Sequence, residues 1–511
     1  MNKKISGRVK FYLVATSLLS GLLSALSLPP ISLWPCAYLG LILFFSIMQS
    51  NRVTTHKMGF LLGLSFGVGQ FSLGLFWANH FSSLGFVLLV IVESLFCAAA
   101  TYISPTDAKS KALALPALLC LAEYGRDNWP FGGLPIGSLA LGQTNGPLIN
   151  LARLGGPILI VFWLYLTSSL LAYLAHNILE NHSNKITSDV NGLVKILFAV
   201  VILIGLLIGS LYAPDGGRPK YYIAAAAVQG GGKRGLGDTP KRIAARLVFR
   251  ATLDETGKIS PSRHLKLILL PEDVVSVTNT ISSSPLTREV AAQAQRLRAT
   301  LIAGFVAPDG SKFFYNKLVA FSPQGHIVGE FEKVHRVPFG EYVPDRGFFS
   351  KFVNLSAVPK DAIQGRGSGM IKTAIGKLAL LISYETFFTH RGRSGVNAGG
   401  GILLVATNTA SYASAQVPSQ ELAASRIQAV SEGRALLQAA TTGYSAWITP
   451  RGQVIKSGSL GSSGIVYTYL GYRDKYTIYD NFGSLPTLAI SIILVIIILT
   501  IKVLNKFYLH K

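Results

Sequence analysis

The chain is poor in cysteine, in charge and in acidic residues. Cys36, Cys97 and Cys120 are its three cysteines, all in apolar runs, so a disulfide scaffold is excluded. Charged residues make up 14% of it, against about a quarter in soluble domains, while half of it is hydrophobic. The apolar half excludes a disordered chain, and runs of spanning length exclude an ordinary soluble one. Acids are outnumbered: 24 Asp and Glu against 47 Lys and Arg give a net charge of +23. Such a balance suggests nucleic acid. In so apolar a chain, basic residues that hold cytoplasmic loops and meet anionic lipid account for it, and no nucleic-acid partner is expected. The nine His form no H-x-x-x-H or Cys/His cluster, so no metal or cofactor is expected.

What is present is helix-length hydrophobicity. A bilayer core about 30 Å thick takes about 20 apolar residues as a helix. Eight runs are candidates: 11–28, 31–48, 58–77, 86–103, 112–125, 156–175, 194–213 and 486–504. The first follows Lys3, Lys4, Arg8 and Lys10, as a signal peptide would. It is long for that role and ends in SLPP without a small-x-small cleavage site, so an uncleaved helix is expected. With the N-terminus inside, the cytoplasmic loops hold Arg52, Lys57, Lys109, Lys111, Lys185 and Lys195, and the tail holds Lys506 and Lys511. The short outer loops near 29–30 and 78–85 have no Lys or Arg, and 126–155 has Arg126 and Arg153. This is the positive-inside pattern. It predicts a seven-helix membrane domain at 1–213, an extracytoplasmic domain at 214–485, and a last span with its tail at 486–511. Both termini are then cytoplasmic. Glu93 and Glu123 lie within apolar runs and are costly there unless paired or facing water.

The segment 214–485 alternates strand and helix patterns. IAAAAVQG (223–230), KLILLPED (266–273), LIAGFVA, KLALLISYE (377–385) and GILLVATN (401–408) read as buried strands. Residues 239–252, EVAAQAQRLRAT and SQELAASRIQAVSEGRALL read as helices, the last as an amphipathic one. KFFYNKLVAFSPQGHIVGEFEK and AWITPRGQVIKSGS read as hairpins. An α/β domain with helices covering sheets follows. In such sheets reactive groups tend to sit just past strand ends. Three residues do so: Glu272, Lys333 and Ser383. Taken singly, each has an ordinary reading as a solvated acid, a surface lysine or a packing serine.

Together with their surroundings they are more specific. The spaced strings VQG (228–230), LLPED (269–273), YN-K (315–317), K-H-VPFGEYVP (333–344), SYE (383–385), ATN (406–408) and EGRALLQAATTG (432–443) resemble the nitrilase, or carbon–nitrogen hydrolase, superfamily. With eight apolar runs around them they resemble one branch of it, the apolipoprotein N-acyltransferases. The resemblance implies an α-β-β-α sandwich carried by a polytopic helical domain of about eight spans in a bacterial cytoplasmic (inner) membrane, with the sandwich on its outer face. It implies Glu272 as general base, Lys333 as stabiliser of charge on the oxyanion, and Ser383 at the nucleophile position. Glu341 matches a second family glutamate near the site, and Tyr384 and Glu385 follow the nucleophile. The implied reaction takes an acyl chain from a phospholipid and passes it to the amine of a diacylglyceryl-cysteine at an apolipoprotein N-terminus.

The chain departs from this family at the decisive atom. Cys-Tyr-Glu is replaced by Ser383-Tyr384-Glu385, and no cysteine follows residue 120. Thr409 stands where an acid is more usual, and Thr441-Thr442-Gly443 replaces Asn-Asn-Gly. A hydroxyl is far less acidic than a thiol, so the same base serves it less well. Retained acyl transfer is the favoured reading. A catalytically impaired protein that binds lipid or a partner, and a membrane-held amidase, remain alternatives. The loop 126–155 and the stretch 345–369, with Phe348, Phe349 and Phe352, are candidate lids.

Overall fold

Every apolar run falls on a helix: Gly7–Ala25, Pro35–Met48, His56–Gly74, Ser83–Ile103, Ala108–Arg126, Ala152–Asn184, Val190–Tyr212 and Leu485–Tyr508. The computed structural model describes residues 6–184, 190–235, 241–351, 355–356 and 358–508. Lys3, Lys4, Lys185, Phe352 and Lys511 lie outside the described residues. Several helix starts carry the expected side-chain caps. Ser6, Thr55, Ser82 and Asp107 each accept a bond from a backbone N–H in the first turn.

The chain divides into two compact units, Met1–Ala213 with Phe482–Lys511, and Pro214–Asn481. The return to the first unit comes at Phe482, a few residues before the expected 486. Among the described residues, three helical stretches are long and apolar enough to cross a membrane: Ser83–Ile103, Pro147–Ile178 and Leu485–Asn505. Pro35–Met48 is apolar but shorter. The Gly7–Ala25 and His56–Gly74 helices are diluted by Ser and Gly, and these small residues sit at helix contacts. A Cβ on Gly69 would come 2.2 Å from the Leu18 carbonyl oxygen, and one on Gly21 would come 2.0 Å from that of Phe66. Small residues thus let these backbones approach closely.

The two acids that required a partner have one. Buried Arg126 donates to Glu93 at 2.8 Å and to Glu123 at 3.0 Å, and also to the Ile136 carbonyl at 2.7 Å. The 126–155 loop folds into this unit through short turns at Leu141–Gln143 and Pro147–Leu151, burying Ile136, Leu139, Leu148 and Leu151.

The second unit has two sheets. In the first, the strands run in the order Gly464–Tyr472, Tyr221–Gln229, Leu265–Leu269, Thr300–Asp309, Phe313–Phe321, Ile327–Glu332. In the second, the order is Val454–Ser457, Ala446–Ile448, Leu436–Ala440, Leu403–Thr407, Gly376–Ile382, Met370–Thr373. The central strands pair in parallel, as strands buried on both faces do. Strand alternation assigns the layers. Ala225, Ala227, Leu267 and Leu269 meet Leu380, Ile382, Leu404 and Ala406 between the sheets. The alternate residues Ala226, Val228 and Ile268 pack with Phe249, Val290 and Ala294 of the helices Lys241–Gly257 and Pro285–Leu297. On the far side, Leu381, Leu403 and Val405 pack with Val396 and Ala429 of Thr389–Asn397 and Gln416–Ser431. The layering is α-β-β-α.

One expectation fails. SQELAASRIQAVSEGRALL is neither one helix nor amphipathic. Its helix, Gln416–Ser431, ends before Gly433, whose φ of 58° is the left-handed conformation that stops helices. Leu436–Ala440 is then a core strand. Gln420, Glu421, Ser425 and Gln428 of the helix are all buried.

Candidate active site

Several strand ends supply the site. Leu265–Leu269 stops short of Pro271, which has no N–H for the ladder, and Glu272 follows. Gly304 lets this turn come close, because a Cβ there would lie 2.5 Å from the Pro271 carbonyl oxygen and 2.6 Å from the Glu272 Cα. Lys333 directly follows Ile327–Glu332, and Ser383 directly follows Gly376–Ile382. Asn316 lies within Phe313–Phe321, and Asn408 directly follows Leu403–Thr407.

Lys333 Nζ lies 2.8 Å from Glu272 Oε1 and 2.7 Å from Glu341 Oε1. Asn316 Nδ2 donates to the same two oxygens, at 2.9 and 3.0 Å. The second oxygens are held by backbone. Asn408 N–H donates to Glu272 Oε2 at 3.0 Å, and Val337 N–H to Glu341 Oε2 at 2.8 Å. Glu272 is 3% exposed and Lys333 1%, so this ammonium and carboxylate are fixed almost without solvent, while Glu341 is partly buried. Burial by itself would lower the Lys333 ammonium, but the two carboxylates outweigh it and hold it above the ordinary lysine range. Burial raises the Glu272 carboxyl against the opposing pull of Lys333.

Ser383 starts a short 3-10 turn, Ser383–Phe387, and has φ = 44°. A non-glycine residue in this region stores about 1–3 kcal/mol of strain, which the surrounding structure has to hold. Glu385 does much of that holding. It is fully buried and accepts bonds from Ile382 N–H at 3.0 Å, Val334 N–H at 2.8 Å and His335 N–H at 3.2 Å. One carboxylate thereby ties the Ser383 turn to the loop after Lys333. Burial raises its carboxyl, opposed by Arg391 and by those N–H groups. Tyr384 is buried edge-on against Phe388, and His335 stacks on Phe388 at 4.1 Å. Burial lowers His335 to about 4, which leaves it neutral at pH 7.

Ser383 Oγ meets Thr407 Oγ1 at 3.3 Å, and that hydroxyl lies 2.7 and 2.8 Å from the two carboxylate oxygens of Glu421. Thr407 and Asn408 are consecutive, so one strand end reaches both Ser383 and Glu272. Burial raises Glu421 to about 7, with Thr407 opposing and Glu272 adding to the rise.

The 345–369 stretch is tethered to its domain. Arg346 pairs with Asp361, which also accepts the Val343 N–H at 3.0 Å. Asp361–Ala362 pairs with Phe313–Phe321. Phe348 is exposed and Phe349 half-buried. Among the described residues, no three His, Cys, Asp or Glu side chains are grouped to hold a metal.

Sequence reasoning did not single out Asn316, Asn408, Thr407 or Glu421. The first three lie inside the strings YN-K and ATN, where polar residues in otherwise apolar strands were a usable signal. Glu421 carried none, since an acid on a helix reads as a solvated face.

Residues 20–170 match the apolipoprotein N-acyltransferase N-terminal domain, and residues 251–471 match the carbon–nitrogen hydrolase family. An apolipoprotein N-acyltransferase of Mycolicibacterium smegmatis is 28% identical over 85% of this chain and 76% of its own. One of Geobacter metallireducens is 24% identical over 93% and 92%. A crystal structure of Saccharomyces cerevisiae Nit3, from branch 10 of the nitrilase superfamily, aligns with 50% of this chain and 91% of its own at 19% identity and a TM-score of 0.35.

Proposed function

We propose that the chain, which matches the apolipoprotein N-acyltransferase N-terminal domain and the carbon–nitrogen hydrolase family, is an apolipoprotein N-acyltransferase of the nitrilase superfamily that acylates the N-terminal amine of diacylated apolipoproteins, the last step of their maturation, with a membrane phospholipid as donor. The observation that carries the reading is the buried ammonium of Lys333 between Glu272 and Glu341, with Glu272 linked to Ser383 through the Thr407–Asn408 strand end.

In this reading Ser383 Oγ attacks the phospholipid ester carbonyl. Lys333 stabilises the negative oxygen of the tetrahedral intermediate from a site almost free of water, where such a charge acts strongly. The lysophospholipid leaves with a proton, and the acyl group stays on Ser383 as an oxygen ester. The lipoprotein amine then attacks that ester, Glu272 takes up its proton and passes it on to Ser383 Oγ as the ester's carbon–oxygen bond breaks, which restores the hydroxyl and the carboxylate. Glu341 and Asn316 hold Lys333 and Glu272 in register, and Glu385 and Tyr384 hold the Ser383 turn.

Eight helices cross the bacterial cytoplasmic membrane, both termini lie in the cytoplasm, and the sandwich domain faces outward. The distribution of Lys and Arg among the short loops supports this orientation. Donor and acceptor are both lipid-anchored, so a membrane-held enzyme meets them by lateral diffusion.

The test is expression in a bacterium depleted of its own N-acyltransferase, with mass spectrometry of lipoprotein N-termini. Triacylated product is expected from the wild type and none from Glu272→Gln. The serine favours one rival, an impaired protein that only binds lipid or a partner. Product from Ser383→Cys with none from the wild type would identify a degenerate enzyme, and no product from either would support that rival.

A further inference from the structure

A serine needs a better proton acceptor than a thiol does, and the structure holds a second carboxylate beside it. We propose that Thr407 and Glu421 form a hydroxyl relay that takes the proton from Ser383, leaving Glu272 to serve the incoming amine. The inference rests on Ser383 being the nucleophile, as proposed above.

Three oxygen groups lie within reach of one another: Ser383 Oγ, Thr407 Oγ1 and the Glu421 carboxylate. Thr407 has one hydroxyl proton, and the carboxylate of Glu421 at 2.7 Å claims it. Thr407 Oγ1 also lies 3.3 Å from Ser383 Oγ, a contact in which Thr407 is placed as the donor; with its single proton held by Glu421, the same oxygen is left to accept from Ser383. As the Ser383 Oγ–carbon bond forms, its proton passes to Thr407 Oγ1, and the Thr407 proton passes to Glu421. When the donor ester's carbon–oxygen bond breaks, the proton returns along the same path to the leaving alkoxide. No other reactant is required.

Glu272 is less well disposed for this transfer. Its Oε1 already accepts from both Lys333 and Asn316, and its Oε2 from Asn408 N–H. Glu421 is 2% exposed, and its carboxyl, raised to about 7, is a stronger base than an ordinary carboxylate and is close to neutral pH. The charges of Glu272 and Lys333 act on it, the Ser383 hydroxyl hydrogen-bonds it as the Thr407 hydroxyl does, and the Tyr412 phenol responds to it. Glu385 and Arg391 lie on the turn and helix packed against the same helix. Two carboxylates with separate proton duties in one site follow a known pattern of tuning by environment.

The relay can be tested on the nucleophile alone. The full chain, purified in detergent, is treated with a fluorophosphonate ester. Phosphonylation of Ser383 is followed by peptide mass spectrometry between pH 5.5 and 8.5. The wild-type rate should climb through about pH 7, as Glu421 loses its proton. Glu421→Gln should flatten that climb and slow labelling about a hundredfold, the lower end of what a general base supplies. Thr407→Val should do likewise, whereas Thr407→Ser, which restores the hydroxyl, should recover most of the rate. In a Ser383→Cys background, alkylation of the thiol should depend much less on Glu421. Equal losses in both backgrounds, or a Thr407→Ser protein as slow as Thr407→Val, would mean that the pair is only structural and would overturn the relay. Glu421-dependent labelling without lipoprotein acylation would leave the relay standing and overturn the proposed function instead.

Discussion

Replacing Lys333 with Met removes the ammonium and keeps most of the volume. Two carboxylates then share the amide of Asn316 in a site from which Glu272 is only 3% exposed. Breaking a buried ion pair by deleting one partner costs about 3–5 kcal/mol. A second route gives a similar figure. The variant can relieve itself by protonating one carboxyl. At pH 7, a group with an ordinary pKa of about 4.3 needs about 1.4 kcal/mol per unit, or roughly 4 kcal/mol. At pH 5 the same neutralisation costs only about 1 kcal/mol. The sign follows from proton binding. The folded variant binds a proton that the unfolded chain releases, so its stability falls as pH rises from the ordinary carboxylate range towards the raised folded value. Scanning fluorimetry of the detergent-solubilised full chain should therefore show a large deficit against wild type at pH 7. At about 2–4 °C per kcal/mol, it is roughly 6–20 °C. The deficit should shrink several-fold at pH 5. A deficit of under about 1 kcal/mol at pH 7, or one indifferent to pH, would refute the picture of carboxylates held ionised by the buried Lys333 charge.

Glu385→Ala should orphan three backbone N–H groups and lower stability by at least about 3 kcal/mol. A melting temperature within 2 °C of wild type, on the order of 1 kcal/mol or less, would count against the tethering role. Ser383→Gly should melt above Ser383→Ala by up to about 1 kcal/mol, since glycine relieves the positive φ; equal melting would show that the turn is unstrained. Arg126→Met should strand buried Glu93 at a cost of about 3–5 kcal/mol, and Arg126→Met/Glu93→Gln should recover part of it in the same melting assay. Gly69→Val should force the His56–Gly74 and Gly7–Ala25 helices apart and lower the yield of folded protein; normal yield and melting would contradict the 2.2 Å approach to Leu18.

Much of the architecture was legible because burial leaves a one-dimensional trace. Strands covered on both faces must be continuously apolar, so LLVAT and KLALLI announce themselves, as do eight helix-length runs. A charge or hydroxyl that closes such a run is conspicuous, which makes Glu272 and Ser383 legible, whereas Lys333 follows a partly exposed hairpin strand and is marked only by the spaced strings around it. The helix at Gln416–Ser431 misled, because its polar residues suggested a wet face. They are buried instead, where Gln428 bonds the Thr386 and Phe388 carbonyls and Ser425 bonds Gln438.

The amino-acid order thus determined which segments could leave water and where each apolar run had to stop. Tertiary structure decided which of those stopping points became neighbours. Glu421 lies 14 residues from Thr407 along the chain, on a helix whose acid looked solvated. Only the folding of that helix across the strand end sets its carboxylate behind the hydroxyl of Ser383. Burial makes a pattern along the chain, whereas a hydrogen-bond network depends on distances between segments, and those exist only once the layers have packed.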